Sequence, residues 1–210
     1  QHPVFGILPP IRFIPLAEEL NLILDIDLWV FKTACQQIKA LNLDTPFPIR
    51  VAINFSSSNF TNNQFAHTLC KIVQDVNIDP NLIQLEISDN LLRNLDTTIN
   101  ENIKKLKTAG LSFVVDDFAM HFSPLSSLKR IPLDSIKIRR DVLNSKHEQS
   151  HLDNIMSAAN KMGVLVVASE IENEKQLDFF RENRCHYAQG NLFAKPCRLD
   201  DIADSLLQIH

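Results

Sequence analysis

The chain has 210 residues, 45% of them hydrophobic and 22% charged, and a formal net charge of −4. This is the composition of an ordinary soluble globular chain, expected to form one domain over residues 1–210, and it offers no basic footprint for nucleic acid. Four cysteines without C-x-x-C spacing exclude a zinc knuckle or disulfide frame, and four glycines are too few and too scattered for a glycine-rich nucleotide loop. No apolar run approaches membrane-spanning length and no leader pattern is present, so a cytoplasmic location is expected.

Residues 13–41 carry Leu16, Leu20, Ile23, Ile26, Trp29, Val30, Thr33 and Ala34 at three-to-four spacing, which predicts a long helix. Strands follow at 49–55, 82–87, 111–116, 135–138 and 164–168, with a brief extended piece at 186–190. Helices are expected at about 62–76, 94–109, 152–162 and 174–183. Strands alternating with helices over short connections argue for parallel β/α units, and repeated units of this length favour a barrel over an open sheet. A (β/α)8 barrel needs eight strands. Only five or six are visible, so the first one or two are expected to be missing from this chain.

Two features have bland explanations. Lys104, Lys105 and Lys107 read as the solvated face of a helix. His147-Glu148-Gln149-Ser150-His151 satisfies H-E-x-x-H, but zinc chemistry needs both histidines on an ordered helix with a third ligand. The polar surroundings predict a solvated loop entering a helix, and a chance match.

The strand ends carry the chemistry. Asp116 and Asp117 close the apolar run at 111–115, at the end of a parallel strand where α/β proteins place their sites. Adjacent carboxylates repel unless a cation lies between them. A helix N-cap explains one aspartate equally well. The other strand ends supply Asn54, Glu86, Lys137, Ser169 with Glu170, and Gln189. Carboxylates and an amide oxygen are hard ligands for Mg2+ or Mn2+. With a lysine among them they suit metal-assisted phosphodiester hydrolysis, in which two cations clamp the attacking and leaving oxygens.

Several segments, in order, resemble the EAL domain family of cyclic di-GMP phosphodiesterases. Val51-Ala52-Ile53-Asn54-Phe55-Ser56 resembles its N-x-S strand, and Leu85-Glu86-Ile87-Ser88-Asp89 its E-L-T-E segment. Asp116-Asp117-Phe118 matches D-D-F, Pro132 to Ile138 is similar to P-x-D-x-x-K-I, and Gln189-Gly190-Asn191-Leu192-Phe193-Ala194-Lys195-Pro196 to Q-G-Y-L-F-S-K-P. The resemblance implies a TIM-like barrel of the EAL type and Mg2+ or Mn2+ as cofactor. It makes Asn54, Glu86 and Asp116 metal ligands, with Asp117 on a second metal. Lys137 would orient the attacking water, Gln189 would lie beside it or the substrate phosphate, and Glu172 would face the substrate.

Departures from the pattern point away from catalysis. The E-A-L strand is absent. A-E-G-V-E reads Ala168-Ser169-Glu170-Ile171-Glu172, so Ser169 replaces a functional glutamate, and Glu170 is expected on the opposite face because strand side chains alternate. The loop after Asp117 reads Ala119-Met120-His121-Phe122, without the family's glycines, and Arg139 stands in place of an acid. The expectation is a degenerate EAL domain, regulating through cyclic di-GMP binding or a protein partner and without hydrolysis. Active hydrolysis to linear pGpG and a non-functional remnant are the alternatives. An incomplete barrel exposes edges, so a partner or a homodimer is expected to cover them.

Overall fold

The computed structural model describes residues 2–118, 129–143, 146–199 and 201–202, leaving aside the side chains of 142–143 and 146–151. Six strands form one parallel sheet in chain order: β1 (Val51–Asn54), β2 (Ile83–Ser88), β3 (Ser112–Asp116), β4 (Ser135–Arg139), β5 (Leu165–Ser169) and β6 (Tyr187–Ala188). Seven helices accompany them among the described residues: α1 (Ile14–Glu19), α2 (Ile23–Asp44), α3 (Phe65–Val76), α4 (Asp89–Arg93), α5 (Thr97–Thr108), α6 (Lys146–Met162) and α7 (Glu174–Glu182). The sequential parallel order is that of a (β/α)8 barrel with six of its eight strands described.

Alternation along each strand decides what the two faces do. Ile53, Leu85, Ile87, Phe113, Val115, Ile136, Ile138, Val166 and Ala168 point to the helices and are buried. There they meet Phe31, Phe60, Phe65, Leu69, Ile103 and Leu106. The other face carries Ala52, Gln84, Glu86, Val114, Ser135, Lys137, Leu165, Val167 and Tyr187 along a shared groove. The apolar core is therefore on the helix side, and the polar strand ends collect on the inner face.

The helices stop where local chemistry stops them. Asn77 takes the left-handed conformation (φ 55°) that ends α3. Its N–H and that of Ile78 bond back to the carbonyls of Gln74 and Val73, in a Schellman turn. The same device corrects the long helix expected at 13–41. Asn21 (φ 57°) breaks it into α1 and α2, with Leu22 N–H bonded to the Ala17 carbonyl. The expected apolar stripe is also shifted. α2 buries Ile23, Asp27, Phe31, Cys35, Ile38 and Leu41, whereas Trp29 is 69% exposed. Three-to-four spacing fits both faces, and the sheet selects the one with Phe31.

The helix expected at 94–109 is α5, which begins at Thr97 because the Asp96 carboxylate accepts the Ile99 N–H at 2.8 Å, while α4 precedes it as a separate short helix. The helix expected at 152–162 begins earlier, at Lys146, so the H-E-x-x-H residues are helical rather than in a loop. Their side chains lie outside the described residues. Lys107 is not a free solvated charge: its ammonium holds both oxygens of Asp134 at 2.8 Å, and Asp134 also accepts the Phe113 N–H at 2.7 Å.

Candidate functional site at the strand ends

A cleft of about 520 Å³ opens at the C-terminal end of the sheet. β1 contributes Asn54, β2 Glu86, β3 Asp116 followed by Asp117, and β4 Lys137. Ser169, Glu170 and Glu172 come from the end of β5, and Gln189 from the end of β6. Every residue named from the strand ends thus lines one cleft. Arg140, Gly190 and Asn191 line it as well.

Register explains the convergence. Asn54 and Glu86 are direct partners on β1 and β2, and both face inward. Glu86 is 3% exposed and in contact with the Lys137 ammonium, itself 8% exposed. Opposite charges in contact under this burial need one another, because either alone would be an uncompensated buried ion.

Asp116 and Asp117 differ in backbone. Asp116 ends β3, and its carboxylate accepts the Asp117 N–H at 3.0 Å. Asp117 takes a left-handed conformation (φ 52°), which turns its side chain back over the mouth. Burial raises the Asp117 carboxyl above the usual range, and Asp116 and Glu170 add to this, while Arg139 and Lys137 oppose it. The helix that one of these aspartates was alternatively expected to cap, and the loop at 119–122, lie outside the described residues.

Glu170 corrects the expectation from alternation. β5 ends at Ser169, and Glu170 follows in the left-handed region (φ 60°), so the strand rule no longer applies to it. Its carboxylate lies at the mouth, 3.2 Å from Arg139 Nη2. The family pattern has glycine here, a residue suited to this backbone. Ser169 is 7% exposed and its Oγ has no hydrogen-bond partner among the described residues.

Beyond β5 the chain is fixed by the start of α7. Asn173 accepts the Gln176 N–H at 3.1 Å, and the Gln176 amide oxygen accepts the Glu172 N–H at 2.8 Å. Glu172 then pairs with the Arg140 guanidinium. Gln189 is held by its backbone, donating to the Ala168 carbonyl at 2.8 Å and accepting the Ile171 N–H at 3.0 Å. The sequence reading missed Arg140 and Asn191. Arg140 stands on the short helical turn after β4, where strand alternation gives no signal.

The donor set tests the fit to a metal. Asn54, Glu86 and Asp116 offer hard oxygens on one cleft, suited to one Mg2+ or Mn2+. Yet Glu86 is engaged by Lys137, and among the described residues no three histidine, cysteine, aspartate or glutamate side chains stand together as a ready metal cage. The second position fits poorly, since Asp117 faces Arg139 at 3.8 Å.

Comparison with known proteins agrees with this architecture. The family description "EAL domain" matches residues 1–196. The cyclic di-GMP phosphodiesterase NbdA of Pseudomonas aeruginosa is 34% identical over 98% of this chain and 27% of that protein. A solved complex of the PaMucR phosphodiesterase with c-di-GMP superposes with a TM-score of 0.89 at 24% identity, over 96% of this chain and 83% of that one. A manganese and cyclic di-GMP complex of BlrP1 from Klebsiella pneumoniae gives 0.79 at 23% identity, over 91% of this chain and 49% of that one. At these identities the structural likeness shows the fold. The chain spans about a quarter of the length of the curated relatives it matches.

Proposed function

The chain belongs to the EAL domain family, and from that premise we propose that it serves cyclic di-GMP signalling as a regulatory domain that does not hydrolyse the dinucleotide. The observation that carries this reading is Ser169. A hydroxyl with no hydrogen-bond partner among the described residues stands at the end of β5 where the family pattern has a functional glutamate. A serine hydroxyl is neither a general base at neutral pH nor an anionic metal ligand. Losing one positioned acid–base group costs about 10² to 10⁴ in rate.

Charge then decides how the dinucleotide could bind. Five carboxylates and two basic side chains line the cleft, and Arg139 stands against two of those carboxylates, leaving an excess of two negative charges. Two phosphates are repelled from such a mouth unless a cation enters with them. Asn54, Glu86 and Asp116 would hold one Mg2+ or Mn2+, which when bound would draw a phosphate oxygen to the strand ends. Lys137 would keep a positive charge beside that oxygen, and Gln189 would present its amide. Arg140 anchors Glu172 at the rim.

A second reading, active hydrolysis, is favoured by one observation. Glu170 brings a carboxylate back to the mouth beside Ser169. Regulation through protein contact is the other mode. The exposed apolar side chains Phe5, Ile11 and Trp29 would suit a protein partner or a second copy of this chain.

Calorimetry with cyclic di-GMP and Mn2+, coupled to chromatography of the same samples, tests the proposal. The expected result is Mn2+-dependent binding with the dinucleotide intact. Linear product that disappears in Lys137→Ala would overturn it.

A further inference from the structure

Two departures from the family pattern, far apart in sequence, meet in space. Arg139 and Ser169 are register partners on β4 and β5. A small hydroxyl beside it leaves the arginine room to lie across the strand ends. Its Nη2 is 3.2 Å from Glu170 Oε2 and 3.1 Å from Asp141 Oδ2. Its Nε has no hydrogen-bond acceptor among the described residues and faces Asp117 Oδ1 at 3.8 Å. Carboxylates following β3, β4 and β5 thus converge on one guanidinium.

We propose that the Arg139 guanidinium is the resident second cation of this cleft, standing where a second divalent ion would otherwise be held and restricting the chain to at most one. A guanidinium stays charged at any working pH and engages several carboxylates through its planar fork. Asp117 and Glu170 therefore already face a fixed positive charge. A divalent ion approaching them would have to displace the arginine or remain beside a fixed positive charge, while gaining few free oxygens. Ser169 and Arg139 are in this sense one change: removal of the glutamate vacates the space, and the arginine supplies the charge. Glu170, in the left-handed turn, completes the arginine's shell rather than a metal's.

The inference rests on reading the cleft as an EAL-type site, and it concerns ion count rather than turnover. Mn2+ uptake by the full chain, followed by the electron paramagnetic resonance of the free ion, tests it. The expected wild-type count is one ion or none at the cleft. Arg139→Asp and Arg139→Gln are each expected to take up one more Mn2+ than the wild type, with circular dichroism reporting the fold. A wild-type count of two would overturn the proposal whatever the variants do. So would a folded variant of either kind that gains no ion. Product analysis in the same samples keeps the two readings apart: hydrolysis by a wild type holding a single ion would sink the inactive assignment and leave this one standing.

Discussion

Lys137 and Glu86 touch across β3, joining two strands that do not pair with one another. Inward side chains of alternate strands fall in one layer of a β/α barrel, so β2 and β4 meet over β3. The contact has a consequence for stability and for metal binding. Lys137→Met removes the ammonium and leaves the Glu86 carboxylate buried and uncompensated, at a cost of about 3–5 kcal/mol. The freed carboxylate then becomes available to a cation. Thermal melts should show Lys137→Met well below the wild type without metal, and recovering more than the wild type gains when Mn2+ is added. Equal Mn2+ stabilisation of both proteins would count against a competition between lysine and metal for Glu86.

Gly190 sits where β6 hands over to the segment carrying Asn191, and a methyl group on it would overlap the backbone of Ile171. Backbone cannot rotate away as a side chain can. Gly163 is the contrast: it is left-handed (φ 68°), but open space surrounds its missing Cβ. Gly163→Ala should cost about 1–2 kcal/mol from conformation alone. Gly190→Ala should cost more, because displacement of Ile171 adds to any conformational strain. It should also disturb the Gln189 backbone bonds to Ala168 and Ile171. Urea denaturation of the two variants ranks them, and a Gly190→Ala protein as stable as Gly163→Ala would refute the clash.

The polar strand ends were legible because alternation assigns each residue a face. Asn54, Glu86, Asp116, Lys137 and Gln189 follow from period two and the parallel order. Alternation failed at Glu170, one residue past the strand, where a positive φ re-aimed the side chain. The stripe on α2 failed for another reason. Its apolar residues fit more than one face, and only packing against the sheet selects Phe31 over Trp29. Arg139 was legible as a departure. Its partners were not, since Asp117, Asp141 and Glu170 reach it from three separate turns.

Asp27 is the buried charge the sequence concealed, because it lies among the apolar positions of α2. Its Oδ2 accepts the Ser56 N–H at 2.9 Å and the Asn59 amide at 2.7 Å, tying α2 to the turn that follows Asn54. Burial nonetheless raises its carboxyl above the ordinary 3.8, with the two hydrogen bonds opposing and Glu18 assisting. Between 3.8 and the raised folded value, the native state holds more protons than the unfolded one. Stability therefore falls as pH rises through that window, and the cost of the buried charge is fully present above it. Asp27→Asn keeps an oxygen for both donors without the charge. It should be no less stable than the wild type at pH 7, and its stability should lack this acid-side slope. Asp27→Ala leaves the Ser56 N–H and the Asn59 amide without that acceptor, and should lose about 1–3 kcal/mol. Denaturation series from pH 3.5 to 7 on the three proteins decide it: parallel curves for wild type and Asp27→Asn would show that Asp27 ionises as it does in the unfolded chain.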